Sequence, residues 1–225
     1  MRISRAVLVL AISLVLVVAG CTKQASGTAQ PDPNQPPLTL SKDGFGIVTG
    51  FDNAPTRIEI FTEPQCSHCA DLQKDFGEEL RYNIGVGALK VTYRPLIFLD
   101  TDHDGYSAHV ANAMFLAAEG DATGTQFQRF VEELWGHQER AKGGEGPSND
   151  DMAEMAKTAA MPDNVAERIA RGGSAINIQE MEDANYEYLY QIDSMSTGTP
   201  TVYDPATDQK LDIYDNEWLS KLMRS

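Results

Sequence analysis

Cys66-Ser67-His68-Cys69 sets two thiols two residues apart, a spacing at which they can cycle between dithiol and disulfide. The flanking sequence says where the pair sits. Before it, Ile58-Glu59-Ile60-Phe61-Thr62 reads as a β-strand. Its alternation puts Ile58 and Ile60 on one face and Phe61 on the other, so both faces are to be covered. After it, Cys69, Leu72, Phe76 and Leu80 recur at helical spacing until Gly85 and Gly87 break the pattern. Cys66 is therefore expected at a helix N-terminus, where unpaired N–H groups and the macrodipole favour a thiolate. His68 adds a nearby donor or positive charge. Both effects lower the Cys66 pKa, and a stabilised thiolate makes the disulfide more oxidising. Cys66, at the open end of the turn, is the expected attacking sulfur. Cys69, one turn in, is expected to be buried and resolving.

Other chemistry competes for the same residues. A zinc site needs about four ligands, and there is neither a second Cys pair nor finger-like spacing among His103, His109 and His137. A static disulfide here closes a tiny loop and stabilises little. A copper carrier would more usually space its cysteines wider and add a distant histidine. Asp102, His103, Asp104 and His109 read as the polar start of a helix rather than as metal ligands. Glu59 reads as solvated or ion-paired, and neither Glu59 nor Glu63 is assigned to proton transfer. Tyr186, Tyr188 and Tyr190 read as packing and surface, and the methionines as core filler.

The remaining elements have to hold that pair in place. The chain has 225 residues, 42% of them hydrophobic, enough for a substantial core. A formal charge of −15 argues strongly against nucleic acid, because phosphate binding needs a basic face. Short strands are expected within Gly44–Gly50, at Leu89–Tyr93, at Thr199–Tyr203 and at Lys210–Ile213, in addition to the strand before the cysteines. Between them lie helical stripes. Tyr106, Val110, Ala113 and Ala117 form one, and Phe127, Phe130, Val131, Leu134 and Trp135 another. Ser148, Asp163 and Asn177 read as caps of three further helices, and Glu217–Leu222 as a last one. The order β, β, α, β, helical block, β, β, α describes one α/β domain with an α-helical insertion.

The N-terminus reads as a processing segment. Arg2 and Arg5 precede an apolar run from Ala6 to Ala19, short for a membrane span of about 20 residues but of secretory length. It ends in Val18-Ala19-Gly20-Cys21, which resembles a bacterial lipobox, and implies cleavage before Cys21 and lipidation of its thiol. Removing residues 1–20 takes away Arg2 and Arg5 and no acid, so the formal charge goes from −15 to −17. Residues 21–40 read as a flexible tether with Pro31, Pro33, Pro36 and Pro37, spanning roughly 20–25 Å as a coil. Residues 41–225 form the domain. In an exported compartment without a glutathione buffer, the remaining two cysteines are free to cycle.

Phe61-Thr62-Glu63-Pro64-Gln65-Cys66-Ser67-His68-Cys69 resembles the active-site region of DsbA-like thioredoxin-fold oxidoreductases. His68 is common in that family before the second cysteine, whereas Ser67 stands where Pro or Tyr-type residues are more usual. Thr199-Pro200 precedes a strand, as does the family's cis-proline. The segments Ser107–Ala113 and Leu134–Gln138 resemble family segments within an inserted helical block, here about residues 101–196. The resemblance implies a thioredoxin-like fold with an α-helical insertion. It also implies that Thr199 and Pro200 face the cysteines and bind extended substrate. The clients would be exported protein thiols, with reoxidation by a quinone-linked membrane redox partner and no metal or nucleotide cofactor. A monomer held outside the cytoplasm by its lipid anchor is expected. The oxidising direction is the leading reading. The same residues can run as a reductase in cytochrome or envelope protein maturation, and the fold can also serve a non-enzymatic binding lipoprotein.

Overall fold

A computed structural model describes residues 33–101, 105–138 and 146–224. The expected signal peptide, Cys21 and most of the tether lie outside the described residues, as do Asp102, His103 and Asp104. The described residues form six strands and seven helices. In order these are β1 (Leu38–Leu40), β2 (Ile47–Thr49), β3 (Thr56–Thr62), α1 (Ser67–Gly85), β4 (Leu89–Pro95), α2 (Tyr106–Ala118), α3 (Gly124–Gly136), α4 (Asn149–Thr158), α5 (Asp163–Arg171), α6 (Ile178–Ile192), β5 (Thr201–Asp204), β6 (Gln209–Lys210) and α7 (Trp218–Leu222).

One sheet runs β1-β2-β4-β3-β5-β6. Only the β3–β4 pair is parallel, with Ile58 opposite Val91 and Ile60 opposite Tyr93. A parallel pair cannot be joined by a tight turn, and α1 is its crossover. That topology fixes the cysteines: α1 starts where β3 leaves the sheet. The alternation in β3 separates two cores. Ile58 and Ile60 enter the larger one with Leu72, Leu80, Val91 and Phe127. Phe61 faces the other way and packs with Leu96, Leu189 and Tyr203. Its ring meets Tyr188 of α6 edge to face at 5.4 Å.

On that second face Arg94 is buried. It donates to Glu59, to Asp43 at 2.9 Å and to Asn185 at 3.1 Å, and its guanidinium lies 4.8 Å from the Tyr188 ring centroid. Glu59 is thus half of an ion pair that ties β3 to β4, the second of the two roles, solvated or ion-paired, that its position left open. The insertion comprises α2 to α6 between β4 and β5, as the helical stripes imply. Ser148 and Thr123 form capping boxes with Asp151 and Gln126, satisfying first-turn N–H groups. Asn177 accepts from the Glu180 N–H. Asp163 is the first helical residue rather than the cap, which is Pro162.

Most strand limits shift by one or two residues from the sequence reading, β5 starting at Thr201 rather than Thr199, and the largest departures are at the two edges of the sheet. β1 falls within residues assigned to the tether, because a three-residue strand leaves too little alternation to detect. The last strand pairs only Gln209 and Lys210, although Leu211 N–H still reaches Val202 O at 2.8 Å. The chain just before β1 is pinned too: Gly124 N–H donates to Pro36 O at 2.7 Å and Gly50 N–H to Pro37 O at 3.1 Å. A Cβ on Gly124 would lie 2.1 Å from Thr49 Oγ1 and 3.0 Å from Pro37 O. Gly124→Ala is therefore expected to cost about 1–3 kcal/mol through overpacking, read as a lowered Tm. An unchanged Tm would mean that the start of α3 does not pack this closely on Thr49 and Pro37.

Candidate active site

Cys66 is the N-cap of α1, with extended backbone angles of φ −74° and ψ 115° and no side-chain cap. Its carbonyl accepts from Cys69 N–H at 3.1 Å and Ala70 N–H at 3.2 Å, so the first turn closes onto the motif itself. The Cys66 side chain is half-buried and Cys69 is fully buried, and both are free thiols. The Thr199–Pro200 peptide is cis. The Thr199 carbonyl accepts from Cys66 Sγ at 3.3 Å across 133 residues of sequence. The residues singled out in the sequence, Cys66, Cys69, Thr199 and Pro200, are thereby brought to one place.

The two sulfurs are electrostatically unequal. A hydrogen bond from the Cys69 thiol is the main cause that pulls the Cys66 pKa down to about 5. Partial burial opposes it, while the Thr199 side chain and the backbone N–H groups of Cys69 and His68 add to it. Those N–H groups are the unpaired donors of the helix start. The contribution from position 68 is thus its backbone. The imidazole is exposed and sits 3.6 Å from the Asp71 carboxylate. Ser67 is exposed as the first residue of α1. Burial pushes the Cys69 thiol well above its ordinary value, and the neighbouring Cys66 charge pushes it further. Glu63 N–H donates to its sulfur at 3.5 Å.

Sequence reasoning missed a buried carboxyl. Glu63 is fully buried and accepts from the Ser107 hydroxyl and from Gln65 N–H at 2.6 Å. Burial raises its pKa to about 7, and the charges of Asp100 and Cys66 raise it further against those two hydrogen bonds. Gln65 Nε2 donates to Asp100 Oδ1 at 2.7 Å and to Ser107 Oγ at 3.0 Å. Asp100 in turn caps α2, accepting from Ser107 N–H at 2.9 Å and Ala108 N–H at 2.8 Å. On the other side Gln138, just past α3, donates to Pro64 O at 2.7 Å and to Cys66 O at 3.0 Å. The insertion therefore holds the active-site loop from two directions. Glu63 was visible beside the motif, but nothing local reports that Ser107, 44 residues away, roofs it.

A carboxyl whose folded pKa lies above its unfolded value loses stability as pH rises between the two. The oxidised chain, which has no Cys66 titration and lacks the Cys66 charge that helps raise Glu63, is expected to lose somewhat less than about 3 kcal/mol from Glu63 as pH rises from 4.5 toward 7, at about 1.4 kcal/mol per pH unit. Glu63→Gln should flatten that decline, with Glu132, also raised by burial, supplying the remainder. Because Cys66 is among the charges that face Glu63, the variant should also favour the Cys66 thiolate, by less than about tenfold. Melting curves across pH, with alkylation rates beside them, check both. An unflattened decline would remove Glu63 as its source.

Residues 42–203 match the family model described as thioredoxin. The fold matches that of MdbA, a thiol-disulfide oxidoreductase from Corynebacterium matruchotii, with a TM-score of 0.67 at 20% identity over 85% of this chain and 93% of that one. MdbA from Corynebacterium diphtheriae matches with a TM-score of 0.67 at 23% identity over 82% and 93%. Reduced DsbA from Mycobacterium tuberculosis matches at 0.58 and 18% identity over 84% and 91%. Among curated sequences, the serine/threonine-protein kinase PknE of Mycobacterium tuberculosis is 25% identical over 182 residues. That match takes in 79% of this chain but only 31% of the kinase, so the chain spans about a third of that relative's length. The structural likenesses establish the fold. With the family match running from Lys42, before β2, to Tyr203 in β5, across the cysteine pair and the whole helical insertion, the chain belongs to the thioredoxin family.

Proposed function

We propose that this chain is a thiol–disulfide oxidoreductase that oxidises exported protein thiols, held outside the cytoplasm through lipidated Cys21. The observation that carries the reading is the placement of the two sulfurs: Cys66 is half-buried at the N-cap of α1 with its Sγ 3.3 Å from the Thr199 carbonyl, and Cys69 is fully buried one turn in, an arrangement that draws the Cys66 pKa down and pushes that of Cys69 up. The MdbA structures that share the fold are described as thiol-disulfide oxidoreductases, which supports the same chemistry here.

A client thiolate attacks Cys66 Sγ of the Cys66–Cys69 disulfide. The Cys69 sulfur leaves and takes a proton, as its high pKa favours. A second client thiolate then attacks the client sulfur of the mixed disulfide, and Cys66 leaves as a stabilised thiolate. A low leaving-group pKa speeds that step. Two electrons pass from client to enzyme as the client loses two hydrogens. A quinone-linked membrane partner would take those electrons and restore the disulfide. Low Cys66 basicity favours the oxidising direction over the reductase reading.

The test mixes the oxidised chain with a reduced peptide containing two cysteines and follows both by mass. A peptide lighter by two hydrogens, together with a Cys66–Cys69 dithiol, is the expected outcome. A disulfide that no dithiol peptide can open would overturn the oxidoreductase reading.

A further inference from the structure

Two depressions share Pro200, Ile213 and Tyr214, and the first is lined by Thr199, whose carbonyl meets Cys66 Sγ at 3.3 Å. One, of about 370 Å³, lies between the 196–201 loop and the 210–214 segment. The other, of about 270 Å³, has α1 as its far wall, with His68, Asp71 and Asp75 on it. Tyr214 stands between them with 77% of its surface exposed, although a tyrosine ring gains by burial. Asp71 and Asp75 are one helical turn apart, so both carboxylates point along the same stripe of α1. Lys210 lines the first depression beside Asp212, with its ammonium on Asp193 at 2.9 Å, and Lys221 of α7 is held by Asp215 at 2.6 Å and Glu217 at 3.6 Å. Lys74 is not part of this wall. The side of the groove next to His68 therefore offers an aromatic face and two carboxylates, and the cation at its rim is His68 itself, when protonated.

We propose that this groove selects cysteine-containing client segments that carry a lysine or arginine close to the reactive cysteine. The cationic side chain lies across Tyr214 with its charge toward Asp71 and Asp75. The inference rests on the oxidoreductase reading and adds to it a client class. Helix rise sets the spacing. Asp71 and Asp75 lie five and nine residues along the chain from Cys66, about 7.5 and 13.5 Å of axial rise. An extended client advances about 3.3 Å per residue. The basic residue is thus placed about two to four positions from the cysteine that joins Cys66. Positions farther away leave the groove. A cation over an exposed tyrosine and two exposed ion pairs each contribute modestly, but a glutamate at the same place is repelled where a lysine is attracted.

The full chain, purified in detergent and oxidised, is given three dithiol peptides that differ only in Lys, Gly or Glu three residues from the first cysteine. At low salt kcat/KM is expected to fall in the order Lys, Gly, Glu, with about tenfold between the ends, and to converge as salt rises. Asp71→Asn with Asp75→Asn should collapse the Lys-to-Glu ratio. Asp150→Asn with Glu154→Gln changes the net charge equally on a distant helix and should preserve it. The ratio is insensitive to any change in sulfur reactivity caused by disturbing the His68–Asp71 pair, since all peptides meet the same sulfur. Tyr214→Ala should raise KM for the Lys peptide about two- to fivefold relative to the Gly peptide. Equal rates for the three peptides, or a ratio that falls as much in the distant variant, would overturn the selectivity while leaving the oxidoreductase reading intact. No exchange with any peptide would overturn the reading beneath it.

Discussion

Cys66→Ser and Cys69→Ser are each expected to abolish oxidation of a dithiol peptide, since neither can form the Cys66–Cys69 disulfide, but given a disulfide-bonded peptide Cys69→Ser should trap a mixed disulfide on Cys66, the peptide's other sulfur leaving as a thiol, whereas Cys66→Ser should trap none. The difference follows from which sulfur a client can reach: Cys66 is half-buried beside Thr199, and Cys69 is sealed beneath it. In the reduced wild type, alkylation of Cys66 should be half-maximal at about pH 5, with Cys69 inert across the neutral range. The largest cause of the low Cys66 value is the hydrogen bond from the Cys69 thiol. Cys69→Ala, which has no donor, should therefore move the Cys66 midpoint upward, and Cys69→Ser, which keeps a hydroxyl, should move it less. The backbone N–H groups of α1 remain in both variants and should hold the midpoint below that of a free thiol. Equal midpoints in Ala and Ser variants would assign the low value to the helix start instead. Alkylation of Cys69 as fast as Cys66 would remove the division of roles altogether.

How much of this was legible in the sequence varies by residue. The strand-to-helix junction was, because β3 and α1 carry clean alternation and a clean helical stripe on either side of the motif. So was the two-sided covering of β3, since Ile60 and Phe61 cannot share a face. The approach of Thr199 to Cys66 was not local: it depends on β5 lying beside β3, and only the family resemblance joined the two. Glu63 was hidden for a different reason. The sequence shows a glutamate in a loop, where solvent is the usual fate, and burial comes from a roof supplied by the insertion. Gln138 acts through the same long-range closure. The source of the low Cys66 pKa was partly misplaced as well. The helix start contributes as expected, but the greater cause is the partner thiol, and His68 acts through its N–H. Spacing indicates which groups are close, whereas the hydrogen-bond directions that rank them require the fold.

Those ranked contributions set a reduction potential. Thiolate stabilisation exists only in the reduced chain, so it favours reduction of the enzyme and oxidation of its clients. The expected potential lies well above the thioredoxin value of about −270 mV, toward the strongly oxidising end near about −120 mV. That full span of about 150 mV is roughly 10⁵ in the exchange equilibrium. Proton counting gives a sharper check than the value alone. Between about pH 5 and the unfolded thiol value near about 8.5, reduction takes up one proton, on Cys69, because Cys66 stays ionised. The potential should then fall by about 30 mV per pH unit, steepening to about 59 mV below pH 5, where two protons are taken up. Stability follows the same linkage. Cys66 has a depressed folded pKa, so its contribution is fully present above the unfolded value and is lost as pH falls through about 5. The disulfide's own constraint on a loop of four residues is about 2 kcal/mol by chain entropy and does not change with pH. The slope of the difference in Tm between reduced and oxidised chains, rather than its sign, therefore isolates the thiolate, and that difference should grow in favour of the reduced chain from pH 5 to pH 8.5. A potential near about −270 mV with a slope of about 59 mV throughout would mean that Cys66 is protonated at neutral pH, and the oxidising direction would give way to the reductase.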